Sequence, residues 1–372
     1  MTRREAIGVL GAGVAAAVLP RLASAAAPIV QKGAVIRAVL RDYAPEELAG
    51  GATLFHEHMS FADDFMTRWM AISAETRREN ALPVANAAPA SPAPATPSGS
   101  PAGKYFMRDL DYQVEEMRIA KREGIGCIVD GGHADMGRDL DFLRQLSARS
   151  GIPIVAGAGF YAQPFYPKEI STMSEDQIVE ALVKQVETEP VGAFGEIGSW
   201  DYITKDERKV FRAVGRAHLR TNLPIFTHTG IPGKSAIEQL DLLEDVGVDP
   251  KHVAIGHLGN LTSDPNVEIH RMICRRGAFV GFDRQGGQGD AQQVPLVMKL
   301  LEAGYADNLL FSSDLATVAQ TKQGGGAGYA KTLTVFVPKL KAAGASDDVL
   351  RRIMEENPRR FLAFVPRMPR RV

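Results

Sequence analysis

Thr53-Leu54-Phe55-His56-Glu57-His58 is a short strand-forming run that ends in polar, chemistry-bearing residues, and the chain repeats that design. Comparable runs stand at Cys127–Asp130, Ile154–Gly159, Gly192–Glu196, Pro224–His228, Val253–His257, Ala278–Asp283 and Leu309–Asp314. With one end residue taken from each, from His56 to Asp314, the steps are 74, 29, 37, 32, 29, 26 and 31 residues. A step of about 30 residues holds one strand, one loop and one helix. Helical periodicity fills the gaps. Over Leu110–Arg122, Val114, Met117, Ile119 and Ala120 alternate with charges, and over Glu175–Glu187 Ile178, Leu182 and Val186 recur every fourth position. Near-continuous apolar strands fit a parallel sheet covered on both faces. Eight alternations therefore predict an α/β fold, a (β/α)8 TIM barrel. An open doubly wound sheet is the rival, but no G-x-G-x-x-G follows the first strand.

The long first step holds an insert. Residues 81–103 contain six prolines and eight alanines, with no charge between Glu79 and Lys104. Such a segment cannot build a ladder or a core, so it reads as a loop or lid after strand one that interrupts the domain without dividing it. The domain itself is expected over 26–372.

The first 25 residues read as an address. Thr2-Arg3-Arg4-Glu5 precedes the apolar run Ala6–Leu19, and Ala23-Ser24-Ala25 gives an A-x-A cleavage pattern. Fourteen residues are too few to span about 30 Å of hydrocarbon. Paired arginines before a mildly apolar run resemble a twin-arginine signal, which predicts export to the periplasm or beyond and no stable membrane anchor. An ordinary secretory signal containing Arg-Arg is the alternative.

The chain has 372 residues, 45% hydrophobic and 23% charged, with net charge −1. Arg3, Arg4 and Arg21 against Glu5 give the leader +2, so the remainder carries −3. A weakly acidic chain has no electrostatic footprint for duplex nucleic acid, which leaves a small molecule as the expected partner. Two cysteines, Cys127 and Cys274, exclude a thiolate metal cage and a disulfide framework, and both read as buried thiols.

Active sites of such barrels lie at the C-terminal strand ends. There stand His56-Glu57-His58 on strand one, Glu196 on strand four, His228 on five, His257 on six and Asp314 on eight. Residues i and i+2 of a strand share a side, so His56 and His58 can face the axis while Glu57 faces away. Four imidazoles and two carboxylates at one mouth suit two divalent ions, Zn²⁺ first, with Mn²⁺ or Co²⁺ as alternatives. His133, His218, His252 and His270 read as ordinary surface or core residues, with only His133 near enough to line the pocket. Tyr161, Tyr166 and Trp200 follow strands three and four and are candidates for substrate contact. Arg284 is a candidate to orient a carbonyl or carboxylate, or simply to pair with Asp283.

From Leu54 onwards the chain resembles the phosphotriesterase family of the amidohydrolase superfamily. The likeness rests on Leu54–His58, Ile128–Gly131 with Gly137–Asp139, Ile154–Tyr161, Ile255–Leu258, Phe282–Arg284 and Asn357–Phe361. By that resemblance His56, His58 and Asp314 hold one metal, and His228 and His257 the other. Strand four reads Gly195-Glu196-Ile197-Gly198, which resembles the phosphotriesterase-homology branch, where a glutamate takes the bridging place of a carboxylated lysine. The resemblance also implies a homodimer. The function it implies is hydrolysis of a lactone or carboxylic ester, or of a phosphoester, by a hydroxide held between two ions, with Asp314 as the catalytic proton acceptor. A TatD-type metal-dependent nuclease has a similar ligand order and a similar Gly195–Gly198 stretch. A non-catalytic periplasmic barrel that binds metal or ligand is the remaining alternative.

Overall fold

Strands whose side chains are apolar on both faces must be covered on both, and helices between consecutive strands do this by forcing parallel pairing. The computed structural model describes residues 30–80, 103–200, 202–230 and 233–367. Residues 1–25 lie outside them, as does the 81–103 insert apart from its last residue. The barrel strands are β1 (Ala52–Glu57), β2 (Ile125–Asp130), β3 (Ile154–Ala158), β4 (Val191–Ser199), β5 (Ile225–Thr229), β6 (Val253–Ile255), β7 (Phe279–Phe282) and β8 (Leu309–Phe311). They form one parallel sheet in sequential order, as the spacing predicts. Ser312 closes the ring. Its Oγ donates to the His56 carbonyl at 2.6 Å and accepts from the His56 amide at 3.1 Å.

Helices α1 (Phe65–Asn80), α2 (Leu110–Arg122), α3 (Leu140–Ser150), α4 (Glu175–Thr188), α5 (Lys205–Thr221), α6 (Lys234–Asp245), α7 (Glu268–Arg275) and α8 (Asp290–Glu302) alternate with the strands. Their starts are chemically marked. Asp109, Asp139, Ser174 and Thr204 cap α2, α3, α4 and α5 by accepting from a backbone amide of the first turn. No helix of the described residues is long and apolar enough to cross a membrane.

Two apolar cores result. One lies between strands and helices, and the other plugs the barrel with Phe55, Val129, Val155, Phe226, Phe279 and Leu310. Ile36, Leu48, Phe361 and Leu362 seal the plug from below. Cys127 belongs to this plug and Cys274 to the outer core, both as free buried thiols.

Candidate active site

Two strands break their register where the candidate ligands stand. In β1 the pairing with β2 shifts between Leu54 and Glu57. A bulge places consecutive side chains on one side. Accordingly the rings of Phe55 and His56 both contact Phe226 inside the barrel. In β4 the pairing shifts between Phe194 and Ile197, around Glu196. Gly195 precedes it at φ +151°, and a Cβ there would stand 2.2 Å from the Phe226 ring, so only glycine fits. His257 (φ 61°) and Asp314 (φ 47°) lie just past their strands in the left-handed region, which non-glycine residues seldom adopt.

The candidate ligands converge on Glu196. His56 Nε2 lies 3.0 Å from Glu196 Oε2, and His58 Nε2 lies 3.1 Å from Oε1. His228 Nδ1 lies 2.8 Å from Oε2, and His257 Nε2 lies 2.8 Å from His228 Nδ1. Asp314 joins through Oδ1, 3.2 Å from His58 Nε2. Three sets of donors among the described residues fall close enough to share an ion: His56, His58 and Asp314; Glu196, His228 and His257; and His56, His257 and Asp283. His56 Nε2 is buried and makes no hydrogen bond, although a carboxylate stands 3.0 Å away. Such an imidazole–carboxylate pair fits a cation between them better than a shared proton. The borderline-soft nitrogens and hard oxygens suit Zn²⁺ or a similar divalent ion. The donor set fits a metal centre.

The electrostatics agree. Burial favours neutral Glu196, but His56 and His228 outweigh it and hold the carboxyl well below the usual range. Burial likewise opposes the charge on Asp314, yet His58 and Arg284 hold that carboxyl far down. His58 is buried too, but Asp314 and Glu196 raise it to about 9. His228 goes the other way, lowered to about 4 by burial, against the pull of Glu196. Ionised buried carboxylates at this density call for concentrated positive charge.

Two supporting carboxylates escaped the sequence reading. Asp283 faces His56 Nδ1 at 3.0 Å and His257 Nδ1 at 2.8 Å, and also accepts from the His257 amide. One carboxylate thus fixes two rings with both Nε2 atoms turned towards Glu196. Glu57 does point away from its flanking histidines, as the strand alternation requires. It accepts from the Ser312 and Ser313 hydroxyls and from the Ser313 and Leu315 amides at 2.7–2.9 Å. These bonds clamp the turn that carries Asp314. The signal for Asp283 was its place at a strand end; Glu57 gave none beyond its position within H-x-H.

Above the cluster opens a cavity of about 630 Å³. Phe61, Phe65, Met66 and Trp69, which follow β1, line one side together with Tyr161. The Tyr161 hydroxyl accepts from Trp69 Nε1 at 2.8 Å and sits 3.1 Å from His228 Nδ1. Arg284 also lines the cavity. It does not pair with Asp283; its Nε donates to Asp314 Oδ2 at 2.9 Å. Tyr166 and Trp200 do not line the cavity. The short turn Gln163–Phe165 carries Tyr166 away to pack against Phe160, and Trp200 stands edge-on behind His228. His133 is also outside it, fully buried with its Nδ1 3.6 Å from Asp135.

A barrel with this mouth has the architecture of a hydrolase. A profile of the phosphotriesterase family matches residues 43–362, and the chain belongs to that family. The phosphotriesterase homology protein of Escherichia coli is 32% identical over 257 residues, covering 66% of this chain and 87% of the relative. Its crystal structure, with phosphate in the active site, superposes with a TM-score of 0.71 at 26% identity, covering 86% of this chain and all of that one. The N-acetyltaurine hydrolase of Danio rerio is 27% identical over 276 residues, 69% of this chain and 78% of the relative. A lactonase from Listeria monocytogenes shares the fold with a TM-score of 0.73 at 24% identity, covering 89% and 99%.

Proposed function

We propose that this chain is an exported hydrolase that uses two divalent ions to cleave a carboxylic acyl bond in a lactone, ester or amide. The convergence of four imidazoles on Glu196, with Asp314 beside them, is the observation that carries this reading. His56, His58 and Asp314 would hold one ion, His228 and His257 the other, and Glu196 would bridge them. When bound, such ions polarise the acyl oxygen and lower the pKa of a shared water. The lactonase and N-acetyltaurine hydrolase names among the relatives support carbonyl chemistry and add an amide to the bonds considered.

The chain's own residues supply the rest. Asp314 is held ionised and reaches the cavity, so it can take the proton from the attacking water and pass it to the leaving oxygen or nitrogen. Water adds to the acyl carbon, the C–O or C–N bond breaks, and that proton ends on the leaving group. Asp283 keeps the imidazoles of His56 and His257 aimed, and Glu57 keeps the Asp314 turn in place. The aromatic side of the cavity packs against apolar substrate surface and excludes water.

The test is the chelated chain reloaded with Zn²⁺ or Mn²⁺. Two metal equivalents and hydrolysis of at least one lactone, ester or amide are expected, with both lost on chelation. Asp314→Asn should lose most turnover. Near-native turnover in that variant, or full activity without metal, would overturn the reading. The Arg3-Arg4 leader supports export, and Arg3→Lys with Arg4→Lys should hold the protein in the cytoplasm.

A further inference from the structure

Helix α1 brings Trp69 to the cavity wall beside Tyr161. Tyr161 itself is placed without help from its hydroxyl. Its amide donates to Asp135 Oδ2 at 2.9 Å, and its carbonyl accepts from the Gly198 amide at 2.6 Å. Its buried ring packs against Phe65 and Phe165.

The direction of the hydroxyl is set separately. A phenol oxygen has one proton to give and lone pairs to accept with, whereas an indole nitrogen only donates. The 2.8 Å bond from Trp69 Nε1 therefore occupies a lone pair of the Tyr161 oxygen and leaves its proton uncommitted. His228 is the other near neighbour, with Nδ1 at 3.1 Å and Nε2 at 3.2 Å from that oxygen. The outward directions of the two imidazole nitrogens diverge, so a hydroxyl equally close to both lies on the line of neither. His228 Nδ1 is in any case turned on Glu196 and His257. The proton is left to point into the cavity that Tyr161, Glu196 and His228 line together. An O–H whose oxygen already accepts a hydrogen bond is polarised into a stronger donor.

We propose that Trp69 is a positioning residue for the reaction: its indole N–H holds the Tyr161 hydroxyl so that the phenol proton meets the acyl oxygen of the substrate. This rests on the acyl-hydrolase reading above. As water adds to the acyl carbon, the C=O electron pair moves onto oxygen, and Tyr161 supports that charge by a hydrogen bond. The pair returns when the leaving group departs. Burial, with the charge of Glu196 beside it, holds Tyr161 well above the ordinary phenol range, so the proton stays on the phenol throughout. A donor fixed in advance needs no reorganisation as the charge develops. Helix α1 thus takes part in the chemistry at one remove.

A double-mutant cycle tests this on the metal-loaded chain, with Trp69→Phe, Tyr161→Phe and the two combined. Each change keeps an aromatic ring and removes the N–H or the O–H. Two quantities are read: kcat and KM on the best substrate among lactones, esters and amides, and the calorimetric Kd of methylphosphonate, a tetrahedral oxyanion. Tyr161→Phe should lower kcat about 10²-fold and Trp69→Phe about tenfold, each with KM within about threefold. The double variant should match Tyr161→Phe to within about twofold. Methylphosphonate should weaken in the same non-additive pattern. Losses that multiply would mean that Trp69 acts by packing or by touching the substrate itself, and would overturn the proposal, as would an unchanged kcat in Trp69→Phe.

The hydrogen bond is also read without metal or turnover. The chain holds two tryptophans, Trp69 and Trp200, so Trp69→Phe assigns both indole N–H resonances. In Tyr161→Phe the Trp69 N–H should move upfield and exchange faster with solvent; an unmoved resonance overturns the bond on which the proposal stands. Absence of turnover with every lactone, ester and amide, beside an intact non-additive methylphosphonate pattern, would reject the hydrolase reading and leave the Trp69–Tyr161 donor standing.

Discussion

The two ends of the barrel are built on opposite principles. The floor is apolar and close-packed, with Phe279 against Phe361 and Leu310 beside Ile36 and Leu362. At the mouth, His56, His58, Glu196, His228 and His257 are each no more than 3% exposed, two strands lose register, and two residues sit at positive φ. A buried polar cluster of this kind cannot be what stabilises the fold, because desolvating its charges costs several kcal/mol per ion before any pairing is counted. The contrast teaches a division of labour: the floor supplies stability that the mouth spends on geometry.

The hardest blow to the mouth should fall on Glu196. Glu196→Gln removes the charge on which four imidazoles converge and should lower kcat/KM by at least about 10⁴-fold, roughly 5.5 kcal/mol of transition-state stabilisation. Chemical unfolding of the same variant should show little loss, and a drop of several kcal/mol there would erase the proposed division. The converse variant is Phe279→Ala. Truncating a buried phenylalanine costs about 3–5 kcal/mol in unfolding free energy. Because Phe279 lies in the plug, away from the cavity, turnover per folded molecule should stay within about threefold. Loss of turnover in step with stability would show that the two ends are not separable.

The same contrast governs what the sequence could tell. The barrel was readable because apolar runs recur at a nearly constant step, and a floor made of such runs needs only hydrophobic size and period. The six candidate ligands were readable because barrel chemistry gathers at strand ends. What escaped was set by local backbone irregularity. The break between Leu54 and Glu57 that turns both Phe55 and His56 inward leaves no mark on a period-two pattern. Asp283 and Arg284 are adjacent, and a mutual ion pair was one of two expectations for Arg284, beside substrate contact; the turn after β7 instead sends Asp283 to the histidines and Arg284 to Asp314. The aromatic side contributed by Phe61, Phe65 and Trp69 was missed because residues after a strand give no sign of which side of a loop they will face.

Asp283→Asn sharpens the comparison within the mouth itself. The amide cannot accept from both Nδ1 atoms as an ionised carboxylate does, so His56 and His257 lose their aim while all six ligands expected from the sequence stay in place. Loss of such support costs roughly 10–100-fold in metal affinity. Competition with a chelator should show this weakening, while Zn²⁺ at saturation should recover much of the turnover. A variant whose activity stays absent at saturating metal would mean that Asp283 does more than orient.

The smallest effect expected is at the floor side, in its response to acid. His218 and His252 lie with ring centroids 5.1 Å apart and planes tilted by 45°, on the end of α5 and just before β6. Burial lowers His218, aided by Arg367, and lowers His252 to about 4, aided by His218. An imidazole in the unfolded chain titrates near pH 6.5. Above that pH both states hold neutral rings and the pair costs nothing. As pH falls from about 6.5 towards 4 the unfolded chain takes up protons that the folded chain refuses, so unfolding free energy declines through that window. His252 is partly exposed, so solvent screening trims its share to about 1–2 kcal/mol. His252→Asn should flatten this limb of the stability–pH curve and leave activity above pH 7 alone. If the slope between pH 6.5 and 4 persists in that variant, the acid sensitivity belongs to the histidines of the mouth, and the floor is the more uniform of the two ends.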